Sequence, residues 1–266
     1  MSFLVLSAVR TAWAQLTSTN WAGYAIISIG ITGISASWTI PGITQCSTTG
    51  PANIVSQGLA VWIGFDGLTN KEVPEQLGTI SECWNGSPTY YTWEEDSTHG
   101  VGTTNHAVMA LYNAVSAGDH ITASIAYLGN NQFQLRIADS ETGDSRTFSV
   151  IVSNSPRASA EWIVEAFSNI NTQSQVTLPK FQPITFSDCG ASVNNAVESI
   201  SQLNGQPINM VDSKNNMIAT VQGLNQAGTS FNVAEVSPVP EAPFILGLLL
   251  PAFAVGILVL RKKNLT

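Results

Sequence analysis

Charge is what this sequence has least of: Asp, Glu, Lys and Arg make up only 11% of 266 residues. Ten residues are basic, and four of them, Arg10, Arg261, Lys262 and Lys263, stand in the terminal segments. The stretch from 15 to 241 therefore sets six cations against eighteen acids. Such a surface repels phosphate backbones and argues against a nucleic-acid partner. Cysteine is scarce too. Cys46, Cys83 and Cys189 are the only three, and without a Cys-x-x-Cys they make no zinc site. His99, His106 and His120 lack ligand spacing, and the three acids of "TWEEDSTHG" lack an EF-hand pattern, so no metal or other cofactor is expected. No Gly-x-Ser-x-Gly occurs to suggest a nucleophile elbow, and the Asp-Thr/Ser-Gly of aspartic peptidases is missing. Helical periodicity is nearly absent: only "NNAVESISQLNG", residues 194–205, offers a helix, with Gly205 to end it.

What fills the chain instead is strand. Runs such as "NWAGYAIISI", "ITGISASWTI", "LAVWIGFDG", "TYYTWEE", "HITASIAYL", "QFQLRIAD" and "AEWIVEAF" recur between Gly, Asn, Ser and Pro. "LGNNQF" and "DSETGDS" read as hairpin turns, since Asn and Gly accept positive φ. Ten or more short strands in one chain predict an all-β fold, an antiparallel two-sheet sandwich of jelly-roll or concanavalin-like type.

The ends read as addresses. "FLVLSAV" followed by "AWA" at 12–14 suits a signal peptide over residues 1–14. "APFILGLLLPAFAVGILVL", Ala242 to Leu260, carries no charge and is followed at once by "RKK". As a helix it is long enough to cross a bilayer, with the basic end inside. The expected organisation is a signal at 1–14, a body at 15–236, a spacer at 237–243, a membrane or sorting helix at 244–260 and a basic tail at 261–266. That places the body on the extracellular face of the cell membrane, acting as a monomer.

In "ASAEWIVEAF" (158–167), Glu161 and Glu165 share one face of a strand. The pattern fits a solvated outer face or the wall of a cleft. The two cannot form a glycosidase pair by themselves. Four residues of strand cover about 13 Å, whereas such pairs stand roughly 5–9.5 Å apart.

Five blocks follow one another in order: "STNWAGY", "AVWIGFDG" (60–67), "EQLG" (75–78), "YYTWEE" (90–95) and "AEWIVEAF". Together they resemble the motif set of the glutamic peptidases, or eqolisins, whose blocks read roughly SNWAG, AWVGIDG, LQTG, YEWY and AEWIVEDF. The likeness covers about residues 17–190. It implies a peptidase acting on proteins or peptides without a cofactor, with Gln76 and Glu165 as catalytic pair. Trp93, Glu95, Phe167, Trp21 and Glu161 fall on or beside the substrate-contacting positions, and Asp66 on a supporting one. The family also has a Cys before its WVGIDG strand and another after its glutamine strand, which points to a Cys46–Cys83 disulfide. Leu77, Thr92 and Glu94 depart from the blocks, leaving side-chain preference open.

The pair makes chemical sense. An ionised Glu165 can take a proton from water and later pass it to the leaving amine. The Gln76 amide can donate to the oxyanion, worth roughly 2.7–4 kcal/mol for one such donor. A Glu titrating near ~4.3 suits acid conditions. A lectin-like module that stacks sugars on Trp21 and Trp93 is the alternative, because the same sandwich serves both; it gives no reason for Gln76 and Glu165.

Overall fold

A computed structural model of the chain describes residues 15–47, 55, 57–69, 74–96, 110–168 and 174–236. The expected signal peptide, spacer, apolar helix and basic tail lie outside the described residues, as do His99 and His106. Among the described residues no helix is long and apolar enough to cross a membrane.

All regular structure described is strand. The first six elements are β1 (Leu16–Ser18), β2 (Trp21–Ile27), β3 (Ile31–Thr39), β4 (Ile43–Gln45), β5 (Gly58–Phe65) and β6 (Glu75–Trp84). Next come β7 (Ser87–Asp96), β8 (Ala110–Ala114), β9 (His120–Gly129), β10 (Gln132–Asp139), β11 (Ser145–Ile151) and β12 (Ser159–Glu165). The last are β13 (Lys180–Phe181), β14 (Ile184–Val193), β15 (Ala196–Glu198), β16 (Gln206–Val211), β17 (Met217–Val221) and β18 (Phe231–Glu235). Residues 194–205 are not the expected helix. They give β15 and then a turn in which Ser199 and Gln202 bond each other's backbone N–H groups, closed by Asn204 at φ 55°. These local bonds offer the backbone an alternative to a helical ladder. The other turns are as the sequence suggests, with Asn130 and Asn131 at φ 50° and 62° and Gly143 at 77°.

One ladder runs β11-β10-β9-β3-β14-β18-β17-β16-β2-β12-β5-β6-β7-β8. It is antiparallel throughout; β1 joins β16 from off this path, in parallel. The ladder doubles back on itself, for β12 packs on β3 and β14, β5 on β3 and β9, and β6 on β9 and β10. Ile34, Trp38, Ile125, Phe133 and Phe186 from one layer meet Ile63, Phe65, Leu77 and Trp162 from the other in the main core. Two buried indoles stitch the layers: Trp38 Nε1 donates to Thr79 Oγ1 and Trp162 Nε1 to the Ser35 carbonyl, each at 3.0 Å. A buried indole N–H needs such a partner. The disulfide joins Cys46 and Cys83, 37 residues apart in sequence and 5.4 Å apart at Cα, and Cys189 is free and buried.

Candidate active site

Strand alternation sorts the β2-β12-β5-β6-β7 layer into two faces. Val61, Ile63, Phe65 and Leu77 enter the core between the layers. The intervening residues form a second apolar cluster on the other face, with Ala25, Ala60, Trp62, Ile80, Trp93, Ile163 and Phe167 buried and Trp21 packed beside them. Both acids of the 158–167 stretch lie on this second face, because Ile163 does. The strand is thus buried on both sides, and only Glu165 is partly open to solvent.

The register arranges this face in rows. Ala25, Glu161, Gly64, Gln76 and Glu95 are successive cross-strand partners. So are Trp21, Glu165, Ala60, Ile80 and Tyr91. Gln76 and Glu165 therefore project from one face, two strands and two rows apart. Gly64, in the same row as Gln76, leaves room over β5. A Cβ at 64 would stand 2.6 Å from Gln76 Cγ, so the glutamine side chain lies across β5 toward β12 in space that any other residue would fill. A Cβ on Gly67 would likewise meet Gln76 Nε2 at 2.8 Å, Trp21 Cη2 at 3.1 Å and Glu161 Oε2 at 3.6 Å. Trp21 packs edge-on against Trp62, with centroids 5.2 Å apart, and Trp62 reaches Glu165. The amide and the carboxylate thus border the same pair of indoles.

Glu165 is held from both sides. Asn20 Nδ2 donates to its Oε1 and Trp62 Nε1 to its Oε2, both at 2.9 Å. The Asn20 orientation is fixed by the Ser18 hydroxyl, which donates to Asn20 Oδ1 at 3.0 Å and accepts from the Trp21 N–H at 3.1 Å. The Asn20 carbonyl in turn accepts from the Ala166 N–H at 2.9 Å. Sequence reasoning missed Ser18, Asn20 and Trp62 as site residues. The signal was present, since all three lie inside the quoted blocks, but only the register shows that β2 and β5 flank β12.

The other expected site residues divide. Glu95, half-buried opposite Gln76, has its carboxyl pushed up to about 7, first by desolvation and then by the charges of Glu165, Glu94 and Asp96. Glu95 thus sits within electrostatic reach of Glu165 and stays protonated in acid. Trp93 and Phe167 are buried in the cluster beneath, Phe167 lying over Gly58, where a Cβ would meet its ring at 2.6 Å. Glu161, expected as a substrate contact, is fully enclosed. It accepts from the Leu68 N–H at 3.0 Å and so pins the turn after β5. Burial raises its carboxyl to about 8 despite donors from Ser159, Leu68 and Gly67, with Asp66 adding to the rise. Asp66 is fully buried at φ 62° and acts as a clamp. It accepts from Ala158 N at 2.7 Å, Ser155 Oγ at 2.8 Å and Arg157 N at 2.9 Å, tying the segment before β12 to the end of β5.

The family model described as the Peptidase A4 family matches residues 19–233. Aspergillopepsin-2 of Aspergillus niger is 25% identical over 194 residues, 66% of this chain. The match spans 64% of the length of that curated relative. Among solved structures, scytalido-glutamic peptidase bound to a peptide-based transition-state analogue is similar, with TM-score 0.65 and 22% identity over 82% of this chain and 98% of that one. An eqolisin-family peptidase in complex with the tripeptide Ala-Ile-His gives TM-score 0.63 and 21% identity over the same shares. At these identities the structural likenesses establish the fold.

Proposed function

Because the chain belongs to the Peptidase A4 family, we propose that it is an acid endopeptidase in which Glu165 and Gln76 act on one water and one peptide bond. The observation that carries this reading is the double hold on Glu165 by Asn20 and Trp62, on the face that Gln76 leans across. Two donors aimed at the two oxygens favour the ionised form and fix its orientation. A carboxylate so placed takes the proton of a water that attacks the substrate carbonyl, and later delivers it to the departing nitrogen. The Gln76 amide Nε2 donates to the oxygen as it becomes anionic. It is neutral, so it does this at any pH at which the fold stands. Protonated Glu95 adds a second hydrogen-bond donor beside Gln76 without adding a negative charge. Trp21, half-buried at the edge of this face, offers flat apolar surface that suits an extended peptide segment.

The body is read as a jelly-roll-type sandwich, exported and held by the apolar segment at 244–260, with the active face outside the cell. Incubating the full chain with an unfolded protein at pH 2–5, with and without pepstatin, tests the enzymatic reading. Cleavage insensitive to pepstatin and abolished by Glu165→Gln and by Gln76→Ala is expected. Wild-type turnover no higher than that of the two variants removes the reading.

A further inference from the structure

The face opposite the cleft carries acids that the chemistry above does not use. Glu75 precedes Gln76, and Asp96 follows Glu95. In the ladder Glu75 and Asp96 are direct partners, one step beyond the Gln76–Glu95 pair. Their side chains enter the core beside Phe65, which pairs with Glu75 from β5 and packs on Phe133 of β10 with centroids 6.0 Å apart. Both acids are fully buried. Among the described residues neither oxygen of Glu75 has a hydrogen-bond partner. Ser155 lies near enough to favour its charged form, against the larger effects of burial and Asp66, but that hydroxyl is given to Asp66 at 2.8 Å.

Among the described residues, the titratable groups that act on Glu75 are acids: Asp66 from the end of β5, Asp96 from β7 and Glu161 from β12. Glu94, also buried, points into the same core layer one pair along. Of the described cations, Arg157 places Nη1 on the Ile31 carbonyl and its guanidinium 3.9 Å from the Tyr127 ring centroid, and Arg146 of β11 lines a cavity with Thr92 of β7 and Asp139. Across the core, Asp139 of β10 is tied into its own turn by Glu141 N and Thr142 Oγ1. A carboxylate with no donor, in apolar surroundings and among acids, is not a stable species, whereas a protonated carboxyl is.

We propose that Glu75 is a positioning residue whose retained proton keeps the Gln76 end of β6 seated between β5 and β7, so that rising pH opens this end and switches the peptidase off. The proposal rests on the Gln76–Glu165 reading for its consequence, but not for its structural part. Burial first, then Asp66, Asp96 and Glu161, push the Glu75 carboxyl up to about 9 from an ordinary 4.5. The closed state therefore holds a proton that the open state releases above about 4.5. Closure is unopposed below that pH and weakens by about tenfold in equilibrium constant for each pH unit above it, until both states have lost the proton.

The test compares the full chain with its Glu75→Gln and Asp96→Asn variants. Urea midpoints from tryptophan fluorescence at pH 4, 5.5 and 7, together with amide exchange at 75–78 and 93–96, report closure without reference to activity. Expected is a wild-type midpoint that falls with pH while both variants fall less. Protection of β6 and β7 should be lost near neutrality only in the wild type, and the alkaline limb of peptidase activity should move up in the variants. If Glu75→Gln does not fold at pH 4, Asp96→Asn alone decides. Variants that track the wild type in midpoint and exchange overturn the proposal. A wild type without activity at any pH defeats the catalytic reading instead, and leaves the exchange data to judge this one.

Discussion

Gly64→Ala probes the geometry on which the catalytic reading depends. The new Cβ would stand 2.6 Å from Gln76 Cγ, 3.0 Å from the Glu75 carbonyl and 3.1 Å from Trp62 Cζ3. The carbonyl and the indole are fixed by the sheet and by the cluster beneath, so the glutamine must give way. Ordinary carbon contact at about 3.5–4.0 Å requires it to retreat by roughly 1 Å. A displacement of about 1 Å at a catalytic group costs on the order of 100-fold in rate, close to the loss from removing one oxyanion donor. Overpacking also destabilises the fold by about 1–3 kcal/mol, so urea midpoints must accompany the kinetics. Gly223→Ala is the control, because nothing lies within 4 Å of its Cβ position. With a quenched peptide at pH 4, kcat for Gly64→Ala should fall by about 100-fold while KM changes little and the control matches wild type. A folded Gly64→Ala enzyme with kcat within twofold of wild type would refute the placement of Gln76 over β5.

Three further outcomes follow from single contacts. Trp62→Phe keeps most of the ring but removes the N–H on Glu165 Oε2; a hydrogen bond to a charged group is worth about 1.5–3 kcal/mol, so kcat/KM should drop by roughly 10- to 150-fold. Asp66→Ala leaves the Ser155, Arg157 and Ala158 donors unanswered and should cost about 1–3 kcal/mol for each donor left buried without a partner, read from urea unfolding. Glu161, raised to about 8 from 4.5, binds in the folded state a proton that the unfolded chain releases above 4.5. Its contribution is complete in acid and is lost as pH climbs from about 4.5 through 8. Thermal melts of Glu161→Gln across that range should be flatter than those of the wild type, and equal slopes would count against a buried protonated Glu161.

Much was legible from order along the chain. Alternation and turn chemistry are local, so the strands, the Asn130–Asn131 hairpin and the all-β class could be read directly. The five blocks carried the family. The Asn194–Gly205 stretch misled because a helical period was outweighed by side-chain bonds from Ser199 and Gln202 to the backbone.

What the chain order could not carry is anything set by register between strands distant in sequence. Glu161 and Glu165 are equivalent by alternation, yet one ends enclosed behind the turn at Leu68 and the other at the open end of β12. Glu75 and Gln76 are neighbours in sequence but fall on opposite faces, one in a cleft and one in a core. Asn20 and Trp62 become holders of Glu165 only because β2 and β5 flank β12. Side-chain type and period are properties of single segments and survive in a one-dimensional text. Burial, donor pairing and the protonation they impose arise only where segments meet, and the packed antiparallel layers alone decide that.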